Sequence, residues 1–131
     1  MAKAKVHYQP EGYHSASPYL IVRNAAATIS FLERVFGGKL LRSFPDEDGR
    51  FKHVEVRLDD TVVMLADSAP NWPPVESYVH IYVADVDDSY RRALAAGAQS
   101  VQVPEQKGDE DKRGGVKDLG GTTWWIATRV G

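Results

Sequence analysis

The 131-residue chain contains no cysteine, which excludes disulfide bonds, thiolate metal sites and a cysteine nucleophile. It has little excess charge of either sign: a formal net charge of −2 gives no electrostatic basis for binding nucleic acid or an anionic membrane. No apolar run approaches the roughly 18 residues that a membrane-spanning helix needs. Residues 1–6 carry charge but no apolar stretch follows them, so we expect no signal peptide and a cytoplasmic protein.

A pattern that occurs twice organises the rest of the chain. Residues 17–24 and 78–85 each read as a strand that runs into a helix cap, and the two copies lie 61 positions apart. Asn24 and Asp85 close the copies, and both side chain types accept hydrogen bonds from the free amides of a first helical turn. Ile29, Leu32 and Val35 then follow at helical spacing, and Gly37 is a typical helix end.

Strand signals follow each predicted helix. Residues 51–58 read as a strand, because apolar and polar side chains alternate strictly from His53 to Leu58, which predicts one buried face. The apolar run at 61–66 predicts a central strand, whereas the charged, glycine-bearing stretch 104–115 predicts a loop before a short strand end at 116–118. The resulting order is strand, helix and three strands, repeated after a proline-rich linker, which predicts two copies of one supersecondary unit.

Several short motifs occur in an order that resembles a known superfamily. They are PYLIV at 18–22, FLERVFGG at 31–38, HVEVRL at 53–58, VADVD at 83–87 and DLGGTTWWI at 118–126. Their order and the repeat resemble the vicinal oxygen chelate superfamily, which includes glyoxalase I, extradiol dioxygenases and bleomycin-resistance proteins. Within it, the chain is most similar to the PhnB-like glyoxalase/bleomycin-resistance branch.

The resemblance implies an α+β fold in which two βαβββ modules form cup-shaped half-barrels, usually within a homodimer. We expect an N-terminal arm at 1–14, a first module at 15–67, a linker at 68–76 and a second module at 77–131.

The resemblance also implies four metal-ligand positions, which fall here on Ser17, Met64, Tyr78 and Trp125. None of these side chains is a usual ligand of a hard divalent cation. His80 lies two residues beyond Tyr78, and shifting the register would restore only one ligand of four. We therefore predict no metal and no other cofactor at this position.

Strand alternation groups the side chains that would line the cups instead. His53, Glu55 and Arg57 should point away from the core; they are either a solvated ion-paired face, a pocket wall or an acid–base pair in which Glu55 or His53 is catalytic. His80 is either a hydrogen-bonded wall residue, a ligand contact or a metal ligand. The predicted ligand-binding residues are Tyr19, His53, Glu55, Arg57, Met64, Tyr78, His80, Tyr82 and Trp125.

An aromatic lining with a few polar groups suits a planar organic ligand better than an ion. The sequence thus favours a metal-free binding protein for a small aromatic or drug-like molecule, acting as a homodimer. Two alternatives stay open. One is a lyase or isomerase that uses Glu55, His53 or a metal outside the inherited positions; the other is a structural or regulatory dimer without a ligand.

Overall fold

The computed structural model describes residues 8–131, and residues 1–7 of the predicted arm, including the stretch considered for a signal peptide, lie outside the described residues. The helices are α1 Ala25–Phe36 and α2 Val86–Ala95. The strands are β1 Tyr19–Val22, β2 Lys39–Pro45, β3 Phe51–Leu58, β4 Thr61–Asp67, β5 Ser77–Tyr82, β6 Gln99–Gln106, β7 Asp111–Lys117 and β8 Thr122–Arg129.

The strands form two four-stranded sheets with the same topology. The orders are β1-β4-β3-β2 and β5-β8-β7-β6, with a parallel pair at one edge and antiparallel pairs elsewhere. Tyr19 lies beside Met64 in the first sheet, and His80 lies beside Trp125 in the second. His80 and Trp125 each follow their first-module counterparts by 61 positions, so the repeat holds at the level of individual residue pairs. The prediction of two βαβββ modules is confirmed.

The helix ends lie where the cap residues predicted them. Asn24 accepts a hydrogen bond from the amide of Ala27 at 3.0 Å, and Asp85 accepts one from Asp88 at 3.2 Å. Gly37 ends α1 in the left-handed conformation, with φ at 66°, which a residue without a Cβ adopts without strain. No helix within residues 8–131 is long and apolar enough to cross a membrane.

One hydrophobic core joins the two modules. Trp124 of β8 is fully buried, and its ring centroid lies 6.4 Å from that of Phe31 and 5.3 Å from that of Phe36, both on α1. Asp118 accepts the indole N–H of Trp124 at 2.8 Å, which satisfies the one polar atom that this ring brings into the core. The helix-covered faces of both sheets thus share one interior, and the helix-free faces lie outside it.

The predicted loop at 104–115 is wrong, because most of it is strand. Strand β6 continues to Gln106, and β7 begins at Asp111. Pro104 is tolerated because β6 is an edge strand, where a missing N–H breaks no ladder bond on the open side. The glycine opposite has a packing role: a Cβ on Gly114 would lie 2.9 Å from Cγ of Pro104.

Candidate functional site

The predicted site residues gather in two separate clusters, one on the helix-free face of each sheet. Directly paired residues in a sheet point to the same side, so the strand registers define each face. We call the face with Tyr19, Arg42, Phe44, His53, Glu55 and Met64 the first cup. We call the face with Tyr78, His80, Tyr82, Asp111, Arg113 and Trp125 the second cup.

Glu55 is the centre of the first cup. The residue is only 2% exposed, although Glu55 was expected to lie with His53 and Arg57 on a face turned toward solvent or a ligand. Arg42 holds it with two hydrogen bonds, from Nε to Oε1 at 3.1 Å and from Nη2 to Oε2 at 3.3 Å. Tyr13 donates its hydroxyl to Oε1 at 2.5 Å, and His53 contacts Oε2 through Nε2 at 2.8 Å. A buried carboxylate is stable in a fold when it is paired and hydrogen-bonded in this way.

These contacts fix the charge of the carboxylate. Burial alone would raise the pKa of Glu55, but the hydrogen bonds from Tyr13, His53 and Arg42 outweigh it and hold that pKa at about 2. The bond to Glu55, with burial second, raises the pKa of Tyr13. Glu55 is therefore ionised at neutral pH, and the guanidinium of Arg42 balances its negative charge.

A chain of hydrogen bonds leads from Glu55 to the surface. A carboxylate only accepts, so Nε2 of His53 carries the proton in their contact. The other ring nitrogen, Nδ1, lies 3.0 Å from the hydroxyl of Tyr19, which is partly exposed. Phe44 lies alongside, with its ring centroid 6.1 Å from that of His53. Tyr19, His53 and Glu55 therefore form a hydrogen-bonded chain, and the buried carboxylate of Glu55 orients the imidazole.

Arg57 has a different partner from the one predicted. It was expected to belong to an ion-paired face or a pocket wall with His53 and Glu55, but its Nη1 donates to the carbonyl of Gly12 at 2.9 Å. Residues 8–14 of the arm, with the adjoining residues 15–17, thus lie across the first cup. Between the arm and the sheet is a cavity of about 370 Å³, lined by Tyr13, Ser17, Arg42, Glu55 and Met64 among others.

The second cup carries a different polar cluster. Tyr82 donates its hydroxyl to Oδ2 of Asp111 at 2.6 Å, and Nη2 of Arg113 donates to the same oxygen at 2.8 Å. Nε of Arg113 donates to Nε2 of His80 at 3.0 Å, so that nitrogen must be unprotonated. Partial removal from water, followed by the charge of Arg113, lowers the pKa of His80, against a smaller opposing effect of Asp111. His80 is therefore a neutral acceptor within this cluster.

Aromatic side chains surround that cluster. Trp125 lies flat over Gly115, where a Cβ would come within 2.6 Å of the indole Cζ3. Trp124 is buried and Trp125 is half-buried, because adjacent residues of a strand point to opposite faces of the sheet. Tyr78 and Tyr82 are 73% and 60% exposed, which leaves a broad aromatic surface uncovered on this face.

The side chains at the four positions that the resemblance assigns to a metal do not fit a hard divalent cation. Without ionisation, serine, methionine, tyrosine and tryptophan supply at best two neutral hydroxyl oxygens and one soft sulfur. Met64 lies beside Tyr19 and Glu55 in the sheet, and Trp125 beside His80. Within residues 8–131, no group of three or more His, Cys, Asp or Glu side chains is arranged to hold a metal ion.

Sequence reasoning missed several members of both cups. Arg42 lies opposite Glu55 in the β2–β3 hairpin, a pairing that depends on the register of the two strands. Asp111 and Arg113 were assigned to a loop, although their spacing of two residues is that of a strand face. Tyr13 carried no local signal, because it reaches Glu55 across 42 residues of sequence.

Comparison with known proteins agrees with the architecture. Residues 7–126 match the family described as the Glyoxalase/Bleomycin resistance protein/Dioxygenase superfamily. An uncharacterised protein of Mycobacterium bovis is 34% identical over 125 residues, covering 87% of this chain and 82% of the relative.

Two solved structures share the fold. TioX from Micromonospora sp. ML1 superposes with a TM-score of 0.73 at 25% identity, over 88% of this chain and 99% of that one. TnmS3, an antibiotic binding protein from Streptomyces sp. CB03234, gives a TM-score of 0.67 at 20% identity, over 98% of both chains. With its sequence match across most of its length, and with the paired βαβββ modules, the chain belongs to the Glyoxalase/Bleomycin resistance protein/Dioxygenase superfamily.

Proposed function

We propose that this protein binds a small planar aromatic molecule in its first cup without using a metal. The observation that carries the proposal is the cavity of about 370 Å³ beside Glu55, a buried charged residue whose partners are fixed before any ligand arrives. Tyr8, Tyr13 and His14 supply the rings of that cavity, and Tyr19, His53 and Phe44 add rings on the same face outside its lining. Pockets for small molecules typically combine apolar or aromatic walls with a few oriented polar groups.

The metal-free part of the proposal rests on the chemistry of the donors. The side chains at the four inherited positions offer no carboxylate or imidazole, and Glu55 already accepts hydrogen bonds on both oxygens. Metal analysis of protein purified without chelator should find no stoichiometric divalent ion, and one metal per chain would contradict this part of the proposal.

We further propose that the protein is a PhnB-like, cytoplasmic homodimer. The uncovered aromatic face of the second cup supports the dimer, because Tyr78 and Tyr82 on the same strand are 73% and 60% exposed and form a larger apolar surface than a single exposed residue would. A second copy of the chain would cover this face. Sedimentation velocity measures this directly, and a monomer at micromolar concentration would contradict it.

Titration with planar aromatic probes tests the binding function. Met64 lines the cavity, and the chain has only two methionines, so its methyl group is a simple NMR reporter. Saturable shifts of that methyl on addition of 2-naphthol or quinoline are expected. TnmS3, the Streptomyces protein with the same fold, is an antibiotic binding protein, which is compatible with such a role.

An enzyme remains the second candidate, favoured by one observation. The line from Tyr19 through His53 to Glu55 has the order of a hydroxyl, a base and an orienting carboxylate. Of the two candidate bases, His53 suits the role better, because a carboxylate with a pKa of about 2 accepts a proton poorly at neutral pH. Replacing His53 by Ala would abolish turnover in a lyase or isomerase of this type, and would leave the affinity of a simple binding protein within a fewfold.

A further inference from the structure

The tip of the arm occupies the polar end of the first cup. Tyr13 places its phenol hydroxyl 2.5 Å from Oε1 of Glu55, and Gly12 accepts a hydrogen bond from Arg57. A turn holds the tip in shape, since the amide of Tyr13 donates to the carbonyl of Pro10 at 3.2 Å. The protein therefore presents one of its own phenols to the most buried charge of the site.

Without Tyr13, Oε1 of Glu55 would lack one of its two hydrogen bonds. Arg42 donates once to each oxygen of Glu55, and His53 donates to Oε2, so Tyr13 supplies the second hydrogen bond of Oε1. A buried acceptor that loses its donor is costly, because no bulk water replaces the bond. Any molecule that displaces Tyr13 is therefore favoured if it brings a hydrogen-bond donor to the same place.

The charge of Glu55 narrows the chemistry further. An anionic group at this point would face a carboxylate that is already paired with Arg42. A neutral hydroxyl on a flat ring meets both requirements, since the ring can lie where the Tyr13 ring lies and the hydroxyl can donate to Oε1.

We propose that the first cup selects phenols, and that the ligand's hydroxyl takes the place of the Tyr13 hydroxyl on Glu55. This inference rests on the proposed binding function and adds to it the class of ligand and a competing internal group. Tyr13 then determines specificity, because only a ligand that donates a hydrogen bond to Glu55 displaces the Tyr13 side chain without leaving Oε1 unpaired.

The matched pair of p-cresol and toluene tests the proposal, because these are the side chains of tyrosine and phenylalanine. We expect Tyr13→Ala to bind p-cresol at least tenfold more tightly than the wild type does, followed through the Met64 methyl resonance. In the same variant, toluene should bind about tenfold to a hundredfold more weakly than p-cresol, the loss expected for an unpaired buried acceptor. Equal affinity for the two probes, or no gain from removing Tyr13, would overturn the proposal.

Two further variants test the proposal independently in case Tyr13→Ala does not fold. Tyr13→Phe keeps the ring and removes only the hydroxyl, and it should bind p-cresol more tightly than the wild type. Gly12→Ala leaves every cup residue intact but strains the arm, because φ is +85° at this position and the new Cβ would lie 3.0 Å from Nη2 of Arg57. It should raise p-cresol affinity severalfold; a lower affinity would mean that the arm assists binding, which contradicts the proposal.

A third probe separates this inference from the function on which it rests. Quinoline is planar and aromatic but has no hydrogen-bond donor. If quinoline binds the wild type and Tyr13→Ala as well as p-cresol does, the binding function stands and the preference for phenols is wrong. If none of the aromatic probes shifts the Met64 methyl in any folded variant, the binding function itself is wrong.

Discussion

Replacing Glu55 by Gln tests whether the buried carboxylate is held ionised by its partners. The folded-state pKa of Glu55 is about 2, against an ordinary value of 4.5. At 1.36 kcal/mol per pKa unit, this difference corresponds to about 3 kcal/mol of folding free energy. Since the pKa is lowered on folding, the contribution is fully present above about pH 4.5 and is lost as the pH falls towards 2.

Urea unfolding of the wild type and Glu55→Gln between pH 5 and pH 3 measures this contribution. The wild type should be the more stable protein at pH 5, and the gap in unfolding free energy should narrow by about 2 kcal/mol by pH 3. Glu47→Gln is the matched control, because it removes one negative charge from an exposed turn. A gap that stays constant with pH would mean that Glu55 is no more acidic in the folded protein than in the unfolded chain, and would refute the reasoning.

Three further substitutions test other parts of the structure. Tyr82→Arg puts a charge on the exposed aromatic face, so sedimentation velocity should give a monomer in place of the proposed dimer; a variant that stays dimeric would contradict the use of this face as the interface. Gly115→Ala would bring a Cβ within 2.6 Å of the Trp125 ring, so we expect a loss of about 1–3 kcal/mol and a shifted tryptophan emission; unchanged emission would contradict the contact. Asp118→Ala leaves the indole N–H of Trp124 and neighbouring amides without an acceptor, and should lower the unfolding free energy by about 3 kcal/mol or more; a loss below about 1 kcal/mol would contradict it.

Local patterns predicted the parts of the fold that depend on local physics. The caps at Asn24 and Asp85 are correct because capping involves only the next three residues. Strand β3 was predicted with its observed bounds, because alternation of apolar and polar residues directly reflects its two faces.

The candidate site was harder to predict, because its contacts depend on register and tertiary packing. Glu55 was predicted on one strand face with His53, but its partners Arg42 and Tyr13 come from another strand and from the arm. Gly114 and Gly115 misled the reading of β7 because glycine usually indicates a loop. In this sheet each glycine instead leaves room for a ring from the neighbouring strand.

The position of Trp124 has a consequence for how the protein is made. The rings of Phe31 and Phe36 pack against this indole, which comes from the last strand of the second module. At translation rates of roughly 5–20 residues per second, the first module waits on the order of several seconds for the side chain that completes its interior. A nascent chain that ends before β8 therefore exposes aromatic surface, and the halves should acquire their final packing together after synthesis rather than one after the other.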